Sequence, residues 1–178
     1  MSDVEKPKYN IITSENNIDL RSYSPMIIAE VEIIGKQETV CSEGFKILAD
    51  YIFGNNVIKE KIPMTAPVQQ QQSLYDGWNI SFVMPSKYNM QSTPKPVNKK
   101  IILKEIINKK YIVICFAGLS SYNNIKKHEN KLIQYVEEKQ LKITGYAKYA
   151  FYNPPWTLPF MRLNEVMFEI IDNKSNLE

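Results

Sequence analysis

The segment FYNPPWTLPFMRLNEV, residues 151–166, combines three prolines with a tryptophan and two phenylalanines. Pro154 and Pro155 fix two successive φ angles and remove two backbone donors, so neither a helix nor a central strand can pass through them. The segment is therefore predicted to be a pre-ordered loop that presents aromatic side chains at small further entropic cost. Arg162 follows the aromatic residues, and a cation beside an apolar surface suits an amphipathic anion with a flat apolar body. A loop that closes one end of a barrel is the structural alternative.

Two motifs upstream support a family resemblance. They are KIPMTAPV at residues 61–68 and FVMP at residues 82–85. Together with the loop they resemble the SOUL family of haem-binding proteins, whose members carry a KIxMTxPV strand, an FxMP strand end and a Pro-Pro-Trp loop in this order. The resemblance extends from Tyr9 to Ile171. It implies an α+β fold, a distorted antiparallel β-barrel flanked by two helices and built from two similar strand-strand-helix-strand-strand halves.

The family resemblance also implies a function and a site. The function is non-catalytic binding of haem or a related tetrapyrrole, as a carrier or buffer, in an apolar groove between the first helix and the loop. The family's groove-facing positions fall on Phe45 and Ala49, with the neighbouring stripe residues Leu48 and Ile52. Residues of the loop are implied to lie nearby: Trp156, Phe160, Met161 and Arg162. Ser42 stands where some members of the family have a basic residue, and Leu163 stands where the family often has a second arginine. Both differences lower the charge available for propionates. For the three large helix residues, ordinary core packing is the alternative.

Length and composition are those of a soluble globular domain. The 178 residues are 44% hydrophobic and 23% charged, which predicts one domain at 9–171 between a flexible arm, 1–8, and a polar tail, 172–178. A net charge of +3 with scattered basic residues argues against nucleic acid as a partner. No apolar run is long enough to span a membrane, and the polar start of the chain favours the cytoplasm. The two cysteines are far apart and are predicted to be buried free thiols.

Periodicity and turn signals predict two helices, at 39–53 and 121–139. In the first helix, Cys41, Phe45, Leu48 and Ile52 form a continuous apolar stripe, and Gly44 is interpreted as packing against a strand. The loop 86–100 is the predicted seam between the halves. Strands are predicted at 9–13, 18–23, 26–34, 61–69, 78–84, 101–107, 111–117, 146–152 and 164–171.

The sequence offers few residues that could ligate a metal. His128 is the single histidine, and it lies roughly 80° from the middle of the second helix's apolar face, so haem ligation by histidine is not expected. Family members with a proposed histidine ligand carry it in the first half, where this chain has none. Met64, Met84 and Met161 are interpreted as gap fillers rather than metal ligands.

No nucleophile with a suitable base is apparent, so no enzymatic activity is predicted. Two alternatives to tetrapyrrole binding remain open at this point. One is a protein-interaction module. The other is an effector-binding domain for another small amphipathic molecule.

Overall fold

The computed structural model describes residues 4–171, which contain nine strands and two α-helices. Residues 1–3 and the predicted tail, 172–178, lie outside the described part of the chain. In chain order the elements are β1 (Tyr9–Glu15), β2 (Ile18–Tyr23), β3 (Met26–Ile34), α1 (Gln37–Ile52), β4 (Val68–Gln72), β5 (Gly77–Val83), β6 (Ile101–Ile106), β7 (Lys110–Phe116), α2 (Tyr122–Glu138), β8 (Ile143–Phe151) and β9 (Asn164–Ile170). A short 3-10 helix, Pro159–Met161, lies between β8 and β9.

The elements form two compact units. Within the described residues, unit 1 contains 4–7 and 25–107, and unit 2 contains 8–24 and 108–171. The predicted seam at 86–100 is wrong, because that loop lies inside unit 1 and the boundary falls after residue 107. The hairpin β1–β2 belongs to unit 2, because β2 pairs with β7. The predicted α+β class, with antiparallel strands and one helix in each of two halves, is confirmed.

Unit 1 consists of the antiparallel strands β4-β5-β3-β6, in that order, with α1 packed on β5 and β3. Its core lies between the helix and these strands and is made of aliphatic and aromatic side chains. They include Leu48, Tyr51, Ile52, Ile62, Ile80 and Phe82. Glu5 also belongs to this unit, since its carbonyl accepts a hydrogen bond from the Ala66 N–H at 2.9 Å.

The packed face of α1 differs from the predicted stripe. Val40, Gly44, Leu48, Tyr51 and Ile52 are buried, whereas Phe45 is exposed and Cys41 is half-buried. Two of the four predicted stripe residues therefore point into the core. The reason is the missing side chain at position 44, where a Cβ would lie 2.8 Å from Ile80 Cδ1 and 3.0 Å from Ile80 Cβ. The helix backbone approaches β5 at its glycine, so the interpretation of Gly44 as a packing residue is confirmed.

The prediction of a strand at 61–69 is largely wrong. Residues 61–67 form no strand beyond a single bridge between Thr65 and Glu5, and β4 begins at Val68 and continues through Gln72. Pro63 and Pro67 remove backbone donors from the first part, whereas the glutamine run pairs fully with β5. One glutamine side chain adds to this pairing, because Ser81 Oγ donates to Gln69 Oε1 at 3.3 Å.

Unit 2 consists of the antiparallel strands β1-β2-β7-β9-β8, in that order, with α2 packed on β7 and β9. The predicted apolar face of α2 is confirmed, because Ile125, Leu132 and Val136 are buried. Ser121 caps this helix, and its hydroxyl accepts a hydrogen bond from the Asn124 N–H. No helix in residues 4–171 is long and apolar enough to cross a membrane.

Candidate functional site

The segment between β8 and β9, residues 152–163, is here called the aromatic loop, and its backbone is held by local hydrogen bonds. The Thr157 N–H donates to the Pro154 carbonyl at 3.0 Å, and the Met161 N–H donates to the Leu158 carbonyl at 2.9 Å. The Leu163 N–H donates to Asn153 Oδ1 at 2.6 Å, which closes the base of the loop. With three prolines in the same segment, the loop conformation is set before any ligand arrives.

The segment that follows β7 is hydrogen-bonded to the aromatic loop. The Gly118 N–H donates to the Pro159 carbonyl at 2.9 Å, and Asn164 Nδ2 donates to the Gly118 carbonyl, also at 2.9 Å. Asn164 is fully buried, so this support is anchored in the body of the unit. The loop is therefore fixed at its base and at its 3-10 turn.

The apolar side chains of this fixed loop point into solvent. Trp156 is 84% exposed and Phe160 is 75% exposed. Leu158 and Met161 are more than half exposed as well. A loop that only covered a core would bury such residues, since they gain most from burial. The aromatic loop instead presents an uncovered apolar surface.

Arg162 contributes to the frame of the loop. Its Nε donates to the Thr157 carbonyl at 2.7 Å, and one terminal nitrogen donates to the Pro155 carbonyl. Arg162 is half-buried and directly follows the exposed residues Phe160 and Met161 in the chain. A guanidinium has five N–H donors, so the donors that do not bond to the loop carbonyls can bind an anion. Arg162 therefore combines a structural role with a positive charge at the loop.

The four predicted site residues on α1 divide into two pairs. Leu48 and Ile52 are core residues of unit 1. Phe45 is 39% exposed, with its ring edge against Phe82 at a centroid distance of 5.4 Å, and Ala49 is half-buried. Phe45 and Ala49 are one turn apart on the same side of the helix and are the two that offer apolar surface. The predicted site residues thus form one set in unit 1 and one set in the loop of unit 2.

His128 is held by two neighbours within unit 2. Its ring stacks on Phe116 at a centroid distance of 3.9 Å, and its Nδ1 lies 2.7 Å from the Asn124 carbonyl. Because a carbonyl only accepts, Nδ1 carries the proton and donates it. The ring is therefore fixed against the strand on one face, and only Nε2 is left as an acceptor.

Unit 2 contains a buried charge cluster that the sequence did not reveal. Arg21, which is 2% exposed, donates to Asp19 Oδ2 at 2.9 Å and to Glu165 Oε1 at 2.8 Å. The Tyr152 hydroxyl donates to the other oxygen of Glu165 at 2.8 Å, and the Arg21 guanidinium lies 4.2 Å from the centre of the Tyr9 ring. The sequence contained one indication of this cluster. Polar residues alternate in β2, so positions 19, 21 and 23 lie on the same face of the strand.

Cys115 contacts the same cluster. Arg21 donates to its Sγ at 3.1 Å, and Glu165 Oε1 lies 3.5 Å from the sulfur. Burial, reinforced by the negative charge of Glu165, raises the pKa of the Cys115 thiol to about 12. Burial alone raises the pKa of Cys41 to about 11. The prediction of free thiols is confirmed, although both side chains are half-buried rather than fully buried.

Metal-ligating residues do not cluster in the described part of the chain. Residues 4–171 contain no group of three His, Cys, Asp or Glu side chains that could hold a metal ion. Met84 is buried in the core of unit 1, and Met161 is exposed on the aromatic loop.

Known structures share this fold at low sequence identity. The C-terminal domain of EcmrR matches with a TM-score of 0.66 and 12% identity over 92% of this chain and 98% of that domain. A hydrolase from Listeria innocua matches with a TM-score of 0.63 and 9% identity over 90% of this chain and 94% of its own. SAV2435 bound to tetraphenylphosphonium matches with a TM-score of 0.50 and 12% identity over 92% of this chain and 94% of its own. At these identities the similarity establishes the fold alone.

Sequence comparison establishes the family. No curated protein sequence matches this chain. The family model described as SOUL heme-binding protein matches residues 4–169, which is nearly the whole chain and includes both the α1 residues and the aromatic loop. The chain therefore belongs to the SOUL heme-binding protein family.

Proposed function

We propose that this protein binds haem or a related tetrapyrrole and catalyses no reaction on it, acting as a carrier or buffer. The observation that supports this most strongly is the exposure of Trp156 and Phe160 on a loop whose backbone is already fixed. A pre-ordered apolar surface loses little conformational entropy on binding, and a flat macrocycle covers it well. On unit 1 by itself, we propose Phe45 and Ala49 of α1 as an apolar surface for a ring, with Leu48 and Ile52 behind them in the core.

The residues present fit the organic part of haem. Aromatic and aliphatic side chains suit the ring faces, and the Arg162 guanidinium suits a propionate. Burying one face of the ring, about 200 Å², contributes on the order of 5 kcal/mol before the cost of association. Affinity in the micromolar range at best is therefore expected. Haem bound in this way would supply its own redox chemistry, while the protein residues bind and orient the ring.

An anion suits the loop better than a cation does. Residues 139–164 contain no Asp or Glu, while Lys139, Lys142, Lys148 and Arg162 are basic. The buried carboxylate of Glu165 is already paired with Arg21. A cationic effector such as the tetraphenylphosphonium bound to SAV2435 would therefore meet unfavourable charge at this loop.

The test of the loop is a haemin titration on Trp156→Ala. We expect about a fivefold weaker affinity, because an aromatic contact of this size contributes about 1 kcal/mol. The Soret band reports binding, and in a Trp78→Phe background the quenching of Trp156 reports it independently. Tyr75→Ala is the matched control, since Tyr75 is an exposed aromatic residue of the turn between β4 and β5. Equal effects of the two variants, or an unchanged affinity in Trp156→Ala, would remove the loop from the site.

Whether His128 ligates the haem iron is tested by a haemin titration of the His128→Ala variant. Because the His128 ring is stacked on Phe116 and bonded to Asn124, we expect haemin affinity to stay within about threefold of the original. The Soret position should also be unchanged. A tenfold loss accompanied by a shifted Soret band would identify His128 as the axial ligand and would contradict binding through the ring alone.

A further inference from the structure

Unit 1 presents four large apolar side chains to solvent on two short segments, 53–61 and 94–97, that pair with each other. Phe53, Val57, Ile58 and Val97 are each more than half exposed. The two segments are held together by the Val57 N–H, which donates to the Lys95 carbonyl at 2.9 Å, and by a bridge between Asn56 and Pro96. Because the segments are paired, we infer that these side chains form one patch rather than scattered single residues.

A buried asparagine fixes this patch. Asn56 is 2% exposed, and its Nδ2 donates to the carbonyls of Tyr51 at 3.2 Å and of Glu60 at 2.7 Å. Its Oδ1 accepts a hydrogen bond from the Glu60 N–H at 3.1 Å. The second segment is anchored in the same way, because the Tyr51 hydroxyl donates to the Pro94 carbonyl at 2.6 Å. The apolar side chains are therefore presented by a rigid backbone.

Positive charge surrounds the patch. Lys59, Lys61 and Lys95 are exposed and lie within the same two segments. Lys61 Nζ is 5.9 Å from the centre of the Phe53 ring, so charge and apolar surface are adjacent. The acid within these segments, Glu60, accepts a hydrogen bond from the Tyr88 hydroxyl at 2.6 Å, and the nearby Asp50 accepts one from Asn55 Nδ2. Three lysines against these two carboxylates leave a net positive charge.

We propose that this patch, Phe53, Val57, Ile58 and Val97 with Lys59, Lys61 and Lys95, docks the protein on an anionic lipid surface. Apolar side chains that enter the boundary between headgroups and acyl chains, with lysines at headgroup level, are the combination that binds such a surface. A polyanion such as a nucleic acid would use the lysines but would leave the aliphatic side chains in water.

The backbone of the patch also suits a lipid surface. The Val57 N–H, the Glu60 N–H and the Lys95 carbonyl already have partners within the protein. Entry into an apolar layer therefore leaves these polar groups paired, as that environment requires. The patch contains none of the residues proposed for the tetrapyrrole, so the two proposals can fail independently.

The experiment is co-sedimentation of the full-length protein with two kinds of vesicle, phosphatidylcholine alone and phosphatidylcholine mixed with phosphatidylserine. We expect binding to the mixed vesicles that weakens as salt is added. Val57→Ser combined with Ile58→Ser should lower the partition coefficient about tenfold. Lys59→Gln should lower it about fivefold, and only for vesicles that contain phosphatidylserine.

Matched controls separate the patch from general surface properties. Leu74→Ser combined with Tyr75→Ser removes two exposed apolar side chains from the β4–β5 turn, and Lys46→Gln removes one exposed charge from α1. Both should leave vesicle binding unchanged, and all variants should keep the thermal stability and haemin affinity of the parent. Equal binding to the two vesicle types, no binding at low salt, or equal losses in patch and control variants would overturn the proposal. Loss in the Lys59 variant with full retention in the Val57/Ile58 variant would overturn it too.

Discussion

Arg21→Met is expected to lower the free energy of unfolding by about 3–5 kcal/mol, the largest effect of any single substitution considered for this protein. Arg21 is the cation between two carboxylates, those of Asp19 and Glu165, and Glu165 is only 2% exposed. Replacing the guanidinium by an apolar side chain leaves two negative charges without their common partner. An unpaired buried charge costs more than the pair contributes, which is why removing one partner is so damaging.

The decisive comparison is with the charge-free combination Arg21→Met, Asp19→Asn and Glu165→Gln. If unpaired charge causes the loss, this triple variant should regain most of the lost stability, because no ion remains buried. Urea unfolding measured for the parent, Arg21→Met and the triple variant decides the matter. Parent-like stability in Arg21→Met would contradict the predicted cost of unpaired charge. A triple variant as unstable as the single one would show that packing of the Arg21 side chain dominates.

The same cluster connects to the aromatic loop. Tyr152, the first residue of that loop, donates to Glu165 Oε2 at 2.8 Å, and its N–H donates to the Leu163 carbonyl at 3.3 Å. Burial and the charge of Glu165 raise the pKa of Tyr152, so the hydroxyl stays protonated and remains a donor. The charge cluster therefore holds the loop base as well as the strands β2 and β9.

Gly44→Ala is expected to destabilise the protein by about 2 kcal/mol, although alanine is the better helix former by about 1 kcal/mol. The added methyl group would lie 2.8 Å from Ile80 Cδ1, 2.9 Å from Ile80 Cγ1 and 3.0 Å from Ile80 Cβ. The end of the isoleucine can rotate, but its Cβ is fixed to β5. The helix must therefore move away from the strand and lose contact along its packed face.

Two variants test this explanation by urea unfolding. Ser42→Ala changes an exposed position of the same helix and should be neutral or slightly stabilising. Ile80→Ala opens space below Gly44, so adding Gly44→Ala to it should cost clearly less than adding Gly44→Ala to the parent. If Gly44→Ala alone stabilises the protein, helix propensity outweighs the close approach and the packing explanation is wrong.

Local chemistry made several elements predictable. Pro154, Pro155 and Pro159 exclude regular structure whatever surrounds them, so the position of the aromatic loop followed from the chain itself. The apolar spacing of Ile125, Leu132 and Val136 identified the packed face of α2, because nothing interrupts that face. The α+β class and the family followed from motifs that lie in the same order along the chain.

Other features depend on contacts between residues that are distant in the chain. Periodicity favours large apolar side chains at the packed face of α1, yet Gly44 and Tyr51 lie there and Phe45 does not. A glycine allows the helix backbone to approach β5, and only the position of Ile80 reveals that possibility. Arg21 and Glu165 are 144 residues apart, so neither has a recognisable partner in the sequence.

The sequence alone thus established the family, both helices, most of the strands and the position of the rigid loop, because these follow from residue type and from spacing over a few residues. Tertiary structure decided which face of α1 is buried, that β1 and β2 join unit 2, and that Arg21 is neutralised in the interior. It also decided which apolar residues stay in solvent, Trp156 and Phe160 in the loop and Phe53 and Val57 in the patch. Burial depends on which surfaces meet when the strands pair, and the pattern within one segment does not specify its partner.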